Sequence, residues 1–209
     1  GDLDADGIDD LVGTGLLSSD VYVFTLPFGT VAVGSADGSV AASVSVTRFG
    51  SALASGQDLD GDGIDELAIG SEDGNVVYVF AGPVTGSHTT STADVTITAS
   101  ASTDPEFGTY GVYLSADTNG DGYGELSTGN NREWTAGSVY GELYLFEGSL
   151  TGSVTPADAF ASITADTTLG FVGTGATWAD VDGDGVPDLA FTSTDAGFAS
   201  DVGVFLSPI

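Results

Sequence analysis

No cysteine occurs in the 209 residues, which excludes disulfide staples and thiol chemistry. Lysine and methionine are absent too, and Arg48 and Arg132 are the whole basic complement against 31 Asp and Glu. The formal charge of −29 repels a phosphate backbone, so nucleic acid is excluded as a partner. No apolar run approaches the roughly 20 residues that a membrane-spanning helix needs, and no membrane insertion is expected. Neither a signal peptide nor an initiator methionine is recognisable, and the chain reads as a processed or excised piece. Ten-residue stretches of Leu, Glu, Lys and Arg with helix caps are also missing, which excludes an α-helical class.

What is present favours strands. Val, Thr, Ser, Ala, Tyr and Phe form short runs, and the 32 glycines fall between them, as tight turns require. Acidity of this degree with few aromatics would mark a disordered chain, but 41% of residues are hydrophobic and 10% aromatic. The chain can therefore fold if its charge is neutralised, and the neutralising cation is not in the sequence.

The pattern Asp-x-Asp/Asn-x-Asp-Gly occurs four times, as "DLDADGIDDL" from Asp2, "DLDGDGIDEL" from Asp58, "DTNGDGYGEL" from Asp117 and "DVDGDGVPDL" from Asp180. The starts are 56, 59 and 63 residues apart. A short apolar run follows each copy ("LVG", "LAIG", "LSTG", "LAFT"), then a turn, then "VYVF", "VVYVF", "GELYLF" or "VGVFL". Further runs, "VAASVSV", "DVTITAS" and "AFASITA", close the first three units. About four strands per period of nearly 60 residues suit a β-propeller blade better than a solenoid coil. The expected fold is all-β, with four-stranded antiparallel blades over residues 1–209 in approximate repeats 1–48, 49–106, 107–170 and 171–209. That makes about three and a half blades, either part of a seven-bladed ring or completed by other chains.

Oxygen donors at alternate positions, a glycine at a sharp turn, a backbone carbonyl and a further carboxylate form a wrap suited to Ca²⁺, which takes 6 to 8 oxygens. Four sites are expected. Their donors are Asp2, Asp4, Asp6, the Ile8 carbonyl and Asp10; Asp58, Asp60, Asp62, the Ile64 carbonyl and Glu66; Asp117, Asn119, Asp121, the Tyr123 carbonyl and Glu125; and Asp180, Asp182, Asp184, the Val186 carbonyl and Asp188. Asp9 and Asp65 are expected to face solvent. An EF-hand needs a bidentate Glu at its twelfth position, where these copies have Gly13, Ile69, Thr128 and Phe191, so that fold is excluded. Zinc and Mg²⁺ are disfavoured by the absence of Cys and His from the loops and by the irregular geometry.

With Phe49-Gly50 nine residues ahead of Asp58, "FGSALASGQDLDGDGIDELAIG" resembles the FG-GAP repeat of integrin α-subunit β-propellers and their bacterial relatives. Phe107-Gly108 repeats the pair with one extra residue, whereas the fourth copy has Phe171-Val172, and no copy has the family's Gly-Ala-Pro proline. The resemblance implies seven-bladed rings that bind calcium on one face and mediate extracellular adhesion. It carries over the calcium ligands only.

A binding module needs nothing further: a sheet scaffold, calcium staples and variable loops. An enzyme would need an acid/base pair or nucleophile in a pocket, and His88 stands alone in the polar segment "GSHTTST", so no catalytic activity is expected. The expected partner is a protein. Alternatives are copies of the same chain in a ring, tube or filament, or a carbohydrate on an aromatic platform of Trp134, Trp178, Tyr110, Tyr113 and Tyr140, for which the bland counterpart is core packing. Calcium-loaded loops point to an extracellular or cell-surface location.

Overall fold

The computed structural model describes residues 1–15, 19–25, 29–43, 48–100, 106–130, 141–165, 172–194 and 200–207. The first repeat forms β1 (Leu11–Thr14), β2 (Asp20–Phe24) and β3 (Gly38–Ala41). The second forms β4 (Phe49–Ala54), β5 (Leu67–Ser71), β6 (Val76–Phe80), β7 (Gly86–Thr89) and β8 (Val95–Thr98). The third supplies β9 (Val112–Ser115), β10 (Glu125–Asn130), β11 (Glu142–Glu147), β12 (Gly152–Val154) and β13 (Ala161–Thr164). The fourth supplies β14 (Val172–Ala179), β15 (Asp188–Thr194) and β16 (Ser200–Phe205). Single turns of 3-10 helix are the only helical segments among the described residues, and no helix is long and apolar enough to cross a membrane.

Four sheets result, ordered β1-β2-β3-β7, β4-β5-β6-β8-β12, β9-β10-β11-β13 and β14-β15-β16. Within each repeat the pairing is antiparallel, as expected. The addition is a pair of short parallel strands that cross between repeats. β7 leaves the second repeat to pair with β3 of the first, and β12 leaves the third to pair with β8 of the second. Each begins at a left-handed glycine, Gly86 or Gly152, whose N–H donates to the carbonyl of Asp37 or Asp94. The expectation of His88 in a polar loop is corrected by this pairing: His88 lies on β7, half-buried opposite Val40, and its Nε2 hydrogen-bonds the Thr85 carbonyl at 2.8 Å.

The sheets stack through three apolar layers. Val21, Val23 and Val40 of the first sheet meet Phe49, Leu67, Ile69 and Phe80 of the second. Val77, Val79, Val95 and Ile97 then meet Leu126, Tyr144 and Phe146, with Phe107 plugging the gap. Leu143, Leu145 and Ala165 meet Val172, Leu189 and Phe191. Covered on both faces, β5 and β10 are buried along their whole length, which is why "LAIG" and "LSTG" do not alternate. The Phe-Gly pair owes its glycine to this stacking. Gly108 has φ +73°, and a Cβ on it would come within 2.7 Å of Val77 Cγ2 on the neighbouring blade; its carbonyl in turn requires glycine at position 70, where a Cβ would lie 1.9 Å from it. These sheets are successive blades of a β-propeller.

The Val40 run is a strand only as far as Ala41 among the described residues. Arg132, Trp134, Tyr140 and Phe171 lie outside them. Trp178 packs against the third interblade layer and donates from Nε1 to Ser127 Oγ at 3.1 Å, so it takes the core-packing role.

Candidate metal centres

Each acidic copy is a tight loop leading into a strand, β1 in the first repeat and the second strand of the blade in the other three, and the same hydrogen bonds build all four. The first Asp accepts the N–H of the sixth residue: Gly7 to Asp2 at 2.9 Å, Gly63 to Asp58 at 2.9 Å, Gly122 to Asp117 at 2.9 Å and Gly185 to Asp180 at 3.0 Å. The third residue accepts the N–H of the fifth, through Asp4, Asp60, Asn119 and Asp182, at 2.9–3.1 Å. The fifth accepts the N–H of the seventh, so that Ile8, Ile64, Tyr123 and Val186 are tethered to Asp6, Asp62, Asp121 and Asp184 at 2.8–2.9 Å. Such Asx-type bonds turn the backbone inward. Positive φ recurs at the fourth and sixth positions, met by glycine everywhere except Ala5, which carries φ +66°.

The consequence is convergence of charge. Asp2, Asp4 and Asp6 each bring a carboxylate oxygen within 4.8 Å of the others, as do Asp58, Asp60 and Asp62, and Asp180, Asp182 and Asp184; in the third loop the group is Asp117, Asp121 and Glu125. Asp10, Glu66 and Asp188, expected as equivalent donors, stand outside these groups of three. They brace the loop from behind, each accepting the N–H of the loop's second residue, from Leu3 at 2.7 Å, from Leu59, and from Val181 at 2.8 Å. Glu125 does the same for Thr118 at 2.9 Å. The bracing was not readable from spacing, because it depends on the ninth side chain folding back under the loop.

The other oxygen of this brace differs between copies. Asp10 Oδ1 and Glu125 Oε1 are buried with no hydrogen-bond partner. Glu66 Oε1 has only a 3.4 Å contact from Gly82 N–H, while Asp188 Oδ1 accepts a 2.7 Å bond from Ser207. Burial pushes the Glu66 carboxyl up to about 7, against the opposing Leu59 hydrogen bond. Asp10 and Glu125 are raised by the same cause. Asp188 is held below the usual carboxylate range by the Ser207 and Val181 N–H groups.

Neighbouring loops touch. Asp65, expected in solvent, is corrected: its Oδ2 accepts the Asp2 N–H at 2.8 Å and its own N–H donates to the Asp2 carbonyl at 3.2 Å. Asp9 does face solvent, its side chain 90% exposed. The Tyr123 ring lies against Gly61, where a Cβ would sit 3.3 Å from it.

An all-oxygen donor set with buried, unpartnered carboxylate oxygens at Asp10 and Glu125 fits a hard divalent cation. Stacked antiparallel blades whose turns carry such loops define a repeat protein of the β-propeller class. Residues 49–85, which span β4, the second loop, β5 and β6, match the FG-GAP repeat. No curated protein matches the chain.

Proposed function

We propose that the protein is a calcium-stabilised β-propeller module that acts outside the cell by binding another protein, without catalysis. One observation carries the calcium reading: four loops share one hydrogen-bond frame, and each brings three carboxylate oxygens within 4.8 Å of one another. The donors are Asp2, Asp4, Asp6 and the Ile8 carbonyl in the first loop and the corresponding residues in the others, joined by Glu125 in the third, while Asp10, Glu66 and Asp188 brace their loops. Like charges at such separations repel unless a cation lies between them. A protein-binding role is supported by the FG-GAP match at residues 49–85. Catalysis finds no support at His88, whose ring nitrogen is engaged by Thr85. Counting bound ions tests the proposal: equilibrium dialysis should give four calcium ions per chain, and a chain that takes up none would refute it.

A second reading, self-association, is favoured by one surface. Val202 and Val204 of β16 are 70% and 45% exposed, whereas the residues at the same register on the third blade, Leu143 and Leu145, are buried by the next blade. Light scattering in calcium decides: an oligomer that V202D dissolves supports it, and a monomer at all concentrations removes it.

A further inference from the structure

The third loop departs from the other three at one position, and the departure has a partner. Asn119 stands where Asp4, Asp60 and Asp182 stand in the other copies, so this loop has one carboxylate fewer. Its Oδ1 accepts the Asp121 N–H at 2.9 Å, in the same way as the aspartates. Its Nδ2 occupies the place of the second carboxylate oxygen, and an amide nitrogen cannot ligate a cation. That nitrogen donates to Glu147 Oε2 at 2.8 Å and to Asp121 Oδ2 at 3.4 Å.

Glu147 ends β11 opposite Glu125. The residues at this place on the other blades, one beyond Phe24, Phe80 and Phe205, are Thr25, Ala81 and Leu206, none of them charged. The one loop that has lost an acid is thus the one whose adjoining strand has gained one. A flipped Asn119 amide would set its oxygen against the Glu147 carboxylate and its NH₂ against the Asp121 N–H. Only the orientation with oxygen toward the loop satisfies both neighbours. The unpartnered Oε1 of fully buried Glu125 marks the same loop as lacking a cationic partner.

We infer that Glu147 is a positioning residue for the third cation, restoring the charge lost at Asn119 and holding the amide oxygen toward the ion. The inference rests on the calcium reading above. It is tested on the full chain by terbium titration, with luminescence excited through Tyr123, whose ring lies between the second and third loops so that the affected site appears as one of two phases, and by a parallel calcium count. E147Q should weaken the affinity of one Tyr123-sensitised phase by about 10-fold, the lower end of the loss seen when outer-shell partners are removed. The metal-free melting temperature should stay the same or rise, because Glu147 then no longer faces Asp121 and Glu125; a structural role alone would lower it. In the N119D background the E147Q change should cost nothing, since the aspartate supplies its own charge and needs no orienting. Unchanged affinity in E147Q, or an equal loss in both backgrounds, overturns the assignment of Glu147 and leaves four sites standing. A wild-type chain that binds neither ion overturns both readings.

Discussion

Ala5 carries a left-handed backbone that its counterparts Gly61, Gly120 and Gly183 adopt without steric cost. The loop hydrogen bonds dictate that conformation, so Ala5 stores strain that its replacement should release. A5G is expected to raise stability by about 1 kcal/mol, read as a shift in the denaturation midpoint with unchanged cooperativity. The alternation of acids and the sixth-position glycine were legible in the sequence, since period and residue type alone specify them. The fourth-position turn, hidden by Ala5, was not. Nor was the fold-back of Asp10, Glu66 and Asp188, or the reach of Asp65 to the preceding loop, because both depend on where the next strand and the neighbouring blade come to lie.

At the scale of the element, the runs that pair within a repeat were readable because they are apolar, β-branched and bounded by turns, as in Val76–Phe80 and Glu142–Glu147. The crossing strands β7 and β12 were not. "GSHT" and "GSV" are short and polar, and nothing local distinguishes them from the turns around them; their partners lie a repeat earlier in the chain. These strands tie the second and third repeats to the blades before them through backbone bonds, to which Val154 adds apolar packing. Replacing Gly152, with its φ of +74° and its N–H given to Asp94, by proline removes the bond and forces an incompatible φ. G152P should cost at least about 1 kcal/mol and speed hydrogen exchange at Val95, Thr96 and Ile97 ahead of β5 and β6. Equal protection in both proteins would show that β12 contributes nothing to the second blade.

Over the whole molecule, a charge of −29 opposes the compact state, and four divalent ions would reduce it to −21 while neutralising it where it is densest. The acids of the four loops are separated by whole blades in sequence, yet Asp65 and Tyr123 bring the first three loops into contact, so loading one loop bears on the next. Metal binding of this kind contributes directly to folding free energy. Each ion at a hundredfold excess over its dissociation constant adds about 2.7 kcal/mol. For a chain of about 200 residues every kcal/mol moves the melting point by about 2–4 °C. The most direct measurement is therefore thermal melting of the full chain near neutral pH, in millimolar calcium and again in EGTA. The melting temperature should be lower by about 10 °C or more in EGTA, restored when calcium is returned and not by magnesium. Identical melting curves under the two conditions would contradict the calcium reading.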